Sequence, residues 1–341
     1  MSYHFLLDLS LILLSTKVLG LVTKRFKMPQ VVGALLAGLV LGPAMLNVLT
    51  ETEFITQMAE LGVIILMFTA GLETDIKELK KTGKASFVIA LIGVVVPLIG
   101  GFALTYFFNH PTDGTPDNMV ILQNIFVGVI LTATSVSISV ETLKEMGKLN
   151  TRARNAILGA AVIDDILGII ALTIITSLAD PTVNIAMVLI KIVAFFILSL
   201  GAGYVFYRLF NKFQARYQKD MRRFVIIAFV FCLFLAYCAE SFFGVADITG
   251  AYIAGVLISN TQRTKYIAAR FDTLSYILLS PIFFASIGLK VSLPSMTGTI
   301  ILFAVLLMVI AVLTKIIGCG LGAKLCHMTN QECLQIGSGM V

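Results

Sequence analysis

Charge is what this sequence has least of. Only 13% of its 341 residues are Asp, Glu, Lys or Arg, about half the share of a soluble domain. With 58% hydrophobic residues and a mean hydropathy of +0.97, the chain belongs in a bilayer. About 20 apolar residues span the hydrocarbon, and runs of that order recur along the whole chain, so one signal peptide does not account for them. Strand-like alternation is also missing, which leaves helices as the spanning elements that satisfy their own backbone. Histidine and cysteine are scarce. His4, His110 and His327 fall at segment ends, and Cys232, Cys238, Cys319, Cys326 and Cys333 form no CxxC pair. Free thiols inside helices are the reading, with no metal site or disulfide framework. There is no glycine-rich phosphate loop and no constellation of nucleophile and base. An enzyme is therefore not expected, nor any cofactor.

What is present is a ladder of apolar spans, at about 5–23, 30–46, 54–73, 85–108, 119–143, 153–178, 184–210, 223–243, 246–260, 268–289 and 298–323, with a further segment starting near Cys333. The odd-numbered connections carry "KRFK", "KELKKTGK", "KEMGKLNTRAR", "RLFNKFQARYQKDMRR", "RTKYIAAR" and Lys324. These hold all 25 Lys and Arg except Lys17, Lys191, Lys290 and Lys315. Even connections are acidic or neutral. The positive-inside rule then puts the odd loops in the cytoplasm and the N-terminus outside, in a multi-pass arrangement that suits a bacterial cell (cytoplasmic) membrane. The net charge of +6 is explained by topology, so the lipid bilayer is the partner and nucleic acid is not. Lys17, Lys191 and Lys290 lie near enough to span ends to snorkel. Lys315, well inside the eleventh span, is the basic residue expected to have a function.

The chain repeats itself. "VVGALLAGLVLG" from Val31 matches "ITGAYIAGVLIS" from Ile248, with Gly38 answering to Gly255 at an offset of 217. "MFTAGL" and "FFASIGL" match at the same offset, Gly71 answering to Gly288. Each matched pair is seven spans apart, an odd number, so the copies face opposite ways. That is the inverted repeat of many secondary transporters, whose binding sites lie near the midplane. The expectation is one transmembrane transport unit over 1–341: a first repeat at about 1–178, a linking helix at 184–210 and a second, inverted repeat at 222–341. The same offset would carry the second copy to about residue 395, so that copy is expected to be cut short.

Two patterns carry chemistry. "GAAVIDDILGII" places Asp164 and Asp165 near the centre of the sixth span, with no further charge until Asp180. Each charge at that depth costs at least ~2.5–3.5 kcal/mol, more than packing alone would justify. Adjacent residues point about 100° apart around a helix. One aspartate is then free to pair with a cation of the protein while the other faces a watery cavity. "LTATSVSIS" brings Thr132, Thr134, Ser135, Ser137 and Ser139 to the middle of the fifth span. These hydroxyls either back-bond within a regular helix or mark a broken helix whose freed oxygens line an ion site. Glu60 and Glu240 are secondary candidates, for which a structural pairing is an equal alternative.

"TATSVS", then "GAAVIDDILG" and later "LTKIIGCGLGAK", together with "FFASIGL" and "VVGALLAGLVLGP", resemble the monovalent cation:proton antiporter-2 family, in its Na⁺/H⁺ branch with paired aspartates. The resemblance covers essentially the whole chain. It implies the all-α sodium/proton antiporter fold: thirteen spans, of which about twelve are begun here, in a dimerisation domain and a core domain, with two broken helices crossing near the ion site. By that resemblance the first break falls at Thr132, Ala133, Thr134 and Ser135. Asp165 is the Na⁺ ligand, Asp164 pairs with Lys315, and the protein is a homodimer. The second break would lie just past "IGSGMV". A carboxylate stripped of water holds its proton to higher pH, so proton and Na⁺ (or Li⁺) compete for one group. Exchange by alternating access follows, electrogenic if two protons oppose each Na⁺. A K⁺/H⁺ antiporter is the alternative, and an ion channel a more distant one.

Overall fold

In the computed structural model residues 4–74, 76–109, 117–145, 152–179, 185–216, 221–292 and 298–341 are described. Their regular elements are all helices: α1 (His4–Arg25), α2 (Gln30–Leu41), α3 (Glu53–Leu72), α4 (Ile76–Phe108), α5 (Asp117–Ile130), α6 (Val136–Glu145), α7 (Arg152–Ala179), α8 (Ile185–Arg216), α9 (Arg222–Cys238), α10 (Asp247–Ser259), α11 (Thr264–Leu274), α12 (Ser280–Leu289), α13 (Gly298–Leu325) and α14 (Asn330–Gly339). A π-helical turn, Ala239–Phe243, finishes α9, and Gly244 at φ 63° ends it in the left-handed region, as glycine readily does. A second π-helical turn, Ser275–Leu279, joins α11 to α12. Among the described residues, eight helical spans are long and apolar enough to cross a membrane. α8 and α13 turn Ile197, Leu200, Met308 and Leu321 outward, a surface suited to hydrocarbon and not to water.

The helices pack as two bundles. One contains α4–α7, α13 and α14, centred on the α4–α13 and α4–α7 contacts; the other contains α1–α3 and α9–α12. α8 runs between them, touching α7 on one side and α9 and α10 on the other. The matched glycines explain the second bundle. A Cβ on Gly288 of α12 would strike the Leu35 carbonyl of α2 and come within 2.8 Å of Gly38 C. A Cβ on Gly255 of α10 would strike the Phe68 carbonyl of α3 and come within 2.9 Å of Gly71 C. Thus α2 crosses α12 at Gly38 and Gly288, while their repeat partners α10 and α3 cross at Gly255 and Gly71. Exchange of equivalent contacts between the copies is what a two-fold relation requires. Small residues serve at such crossings because, in lipid, association depends on close packing.

The basic segments differ from expectation. "KELKK" lies within α4, "RLFNKFQAR" within α8 and "TKYIAAR" within α11, where the sequence alone points to connections. Lys, Arg, Glu and Gln are good helix formers, and long cationic stems lie along the helix while their heads stay in water. The helices therefore continue beyond the apolar spans. α14 likewise starts at Asn330, ahead of Cys333, on a capping box in which Thr329 and Glu332 satisfy each other's N–H groups.

The two glycine crossings should respond alike to an added side chain. Gly255→Val and Gly288→Val are each expected to lose ~1–3 kcal/mol by overpacking. Gly168→Ala on α7, where nothing lies within 4 Å of an added Cβ, should lose nothing. Thermal unfolding in detergent reads both, and equal behaviour of all three variants would contradict the crossings.

Candidate functional site

The site lies where an interrupted helix meets two continuous ones. α5 ends at Ile130 and α6 begins at Val136, so residues 131–135 leave helical geometry at the hydroxyl-rich stretch. Thr132 Oγ1 donates to the Val129 carbonyl at 2.8 Å and closes the last turn of α5. Its own carbonyl, left without a helical partner by the break, accepts from Lys315 Nζ at 2.5 Å. Two residues on, Thr134 Oγ1 donates to Asp164 Oδ2 at 2.7 Å.

Of the two aspartates it is Asp164, on α7, that meets Lys315 of α13. Lys315 Nζ donates to Oδ1 at 3.1 Å and to Oδ2 at 3.0 Å. The Lys315 and Asp164 side chains are 3% and 1% exposed, so both charges are withdrawn from solvent. Such a pair persists only when close geometry and extra hydrogen bonds offset the lost hydration. Here the Thr134 hydroxyl and the Thr132 carbonyl supply the extra bonds, one to each member. Three elements thus converge through four hydrogen bonds.

Asp165 is placed differently. One residue along α7, it points away from this cluster and is half-buried. Among the described residues its carboxylate accepts no hydrogen bond. The site therefore holds one carboxylate fully engaged and one beside it available to a ligand. Oxygen is the donor type present, and hard monovalent cations favour oxygen.

The other candidates separate. Ala133 and Ser135 are exposed; the Ser135 carbonyl accepts from Ser139 N and Oγ. Ser139 Oγ also donates to the Gly339 carbonyl at 2.6 Å, tying α6 to the end of α14. Glu60 and Glu240 do not join the cluster. Both are exposed, near enough to Asp247 at the start of α10 to act on its charge. The π-helical turn that carries Glu240 shifts helical phase and turns that side chain outward. Among the described residues no three His, Cys, Asp or Glu side chains are grouped to hold a metal ion. Lys17, assigned to snorkelling, instead donates to Tyr276 Oη at 2.7 Å and lies 4.9 Å from that ring's centre. Arg154 and Glu145, counted among loop charges, make contacts between the bundles. The available signal for Arg154 was its place immediately inside the apolar run of α7.

Residues 10–341 match the family described as sodium/hydrogen exchanger, transmembrane. The chain belongs to the sodium/hydrogen exchanger family. Its relatives include the Na(+)/H(+)-K(+) antiporter GerN of Bacillus cereus, 38% identical over all of this chain and 85% of that one. The probable Na(+)/H(+) antiporter GerT of the same organism is 36% identical over 99% of this chain and 87% of its own. A solved structure, the sodium proton antiporter MjNhaP1 from Methanocaldococcus jannaschii, superposes with a TM-score of 0.69 at 18% identity, covering 98% of this exchanger and 83% of that chain. That likeness shows a shared fold. The all-α, polytopic antiporter fold expected from the sequence is the one this exchanger has.

Removing one member of a buried ion pair costs about 3–5 kcal/mol. Lys315→Met should therefore lower stability by that order, and Asp164→Asn added to it should recover most of the loss. Thermal unfolding of the two single variants and the double variant measures the coupling, and simple additivity would contradict the pairing.

Proposed function

We propose that Asp164, Asp165, Lys315 and the broken helix at Thr132 and Thr134 form the exchange site of an antiporter working by alternating access. The family is one of secondary transporters, and the chain exchanges Na⁺ for protons across the membrane it spans. The observation that carries the residue assignment is the contrast inside the site: Asp164 satisfied by Lys315 and Thr134, Asp165 beside it without a hydrogen-bond partner among the described residues.

Asp165 is then the group for which Na⁺ and H⁺ compete. Deprotonated, it offers a full negative charge to Na⁺ (or Li⁺); protonated, it offers little, so loading one ion expels the other. Lys315 keeps Asp164 ionised when Asp165 is protonated, and yields that role if a bound cation draws Asp164 away. When Na⁺ draws Asp164 away, Asp165 has released one proton and Lys315 gives up another, so two protons oppose one Na⁺ and each cycle moves net charge. The α4–α7 bundle carries the site, and access alternates as it shifts against the α1–α3 bundle. We place the chain in the paired-aspartate branch of these antiporters, as a homodimer in the cell membrane with its N-terminus outside and its basic segments in the cytoplasm. In that reading, the first repeat is about 1–178, the linking helix α8, and the second repeat begins near residue 222. A K⁺/H⁺ reading is kept because GerN, at 38% identity, is named for K⁺ as well as Na⁺.

In acidified proteoliposomes, added Na⁺ should release protons, and Asp165→Asn should reduce that release to background. K⁺ acting where Na⁺ fails would favour the potassium reading, and an active Asp165→Asn would remove Asp165 from the mechanism. Collapsing the membrane potential should change the exchange rate; equal rates with and without it would contradict two protons per Na⁺.

A further inference from the structure

The α6–α7 corner holds two polar contacts between the bundles that the exchange chemistry does not use. α2 starts after Pro29, which supplies no side-chain cap, so its first N–H groups need an acceptor from elsewhere. The Gln30 N–H donates to Glu145 Oε2 at 2.7 Å. A carboxylate from the last residue of α6 thus caps a helix of the other bundle, at charge-assisted length and with the favourable sign for a helix N-terminus. Just past the corner, Arg154 Nη2 donates to Glu73 Oε2 at 3.3 Å. The Arg154 side chain is 1% exposed, and Glu73 follows the last turn of α3. Both contacts lie at the basic ends of their helices.

Space accompanies these contacts. A cavity of about 260 Å³ lies between α6 and the α1, α2 and α12 side, lined among others by Glu145, Gln30, Lys17 and Tyr276. Ile138 of α6 packs on Val31, Ala34, Leu66 and Phe284 of the other bundle, and the Glu145–Gln30 bond beside that apolar contact has room next to it. α6 itself is held at both ends. Thr134, just before its first residue, bonds to Asp164, and Glu145, its last residue, bonds to α2. Ten residues of helix span ~15 Å, a short rigid strut from the ion site to the opposite bundle.

We propose that Glu145 and Arg154 are positioning residues that dock the site-bearing bundle on the α1–α3 bundle, and that this docking opens and closes in every exchange cycle. The inference rests on the alternating-access reading above. A contact that only stabilises the fold would stay closed throughout, whereas a docking contact must part. Bridging the corner with a linker separates the two.

The test is a Gln30→Cys/Glu145→Cys protein bridged in proteoliposomes by a short, reducible thiol linker, with the parent chain treated alike to control for its native cysteines. The linked protein should lose Na⁺/H⁺ exchange, and reductant should restore it. Exchange at the unlinked rate, or a cysteine pair that no linker bridges, would overturn the docking role and leave the antiport reading intact. Failure of the untreated parent to exchange would instead strike the antiport reading. Glu145→Gln gives a second measure that needs no linker. Its maximal exchange rate should change by roughly tenfold, the scale of one charge-assisted hydrogen bond, with the apparent Na⁺ affinity unchanged. Equal loss of rate and affinity, or no change in either, would count against the proposal.

Discussion

The ion pair between Asp164 and Lys315 is the interaction on which the rest depends. Two opposite charges at membrane depth are tolerable only while each holds the other, and neither helix that carries them can move alone. α7 and α13 are thereby fixed together, and both lie on α4. The pair also demands a break in a neighbouring helix. Asp164 needs a further donor and Lys315 a further acceptor, and an intact helix keeps its carbonyls for its own N–H groups. The unwound stretch at 131–135 supplies both, through the Thr134 hydroxyl and the Thr132 carbonyl.

The remaining carboxylate is a consequence of that arrangement. Because α7 turns about 100° per residue, committing Asp164 to Lys315 aims Asp165 elsewhere, near the same positive charge but outside its hydrogen bonds. On the assignment proposed above, cation and proton compete for that group beside the pair. The second bundle provides a different kind of rigidity. Its helices interlock at glycines, backbone against backbone, whereas side chains make the contact with the site-bearing bundle, in a shared apolar core and in discrete polar bonds such as Gln30 to Glu145 and Arg154 to Glu73. A stiff frame joined to a moving part by breakable contacts suits alternating access.

Much of this was legible in the residue order, for physical reasons. Asp164, Asp165 and Lys315 stand out because a charge inside an apolar run has no inexpensive explanation in lipid. Gly38, Gly71, Gly255 and Gly288 stand out because a crossing of backbones tolerates little else, and their spacing carries the repeat. Which aspartate meets Lys315 came only from family resemblance, since it depends on the rotation of α7 relative to α13. Glu60 and Glu240 looked deep by position, but a π-helical turn and an outward face put them elsewhere. Glu145 and Arg154 were hidden among basic loop residues because the helices run on through those segments. Their partners, Gln30 and Glu73, are far away in sequence and become neighbours only through the packing of two bundles.

The central claim is that proton and cation compete for Asp165 beside the Asp164–Lys315 pair. The most direct measurement is the proton count released into weak buffer when Na⁺ binds the purified protein in detergent. This account predicts that binding releases protons, that the release falls as the starting pH rises, and that Asp165→Asn neither binds Na⁺ nor releases protons. Na⁺ binding that displaces no proton at any pH would contradict it.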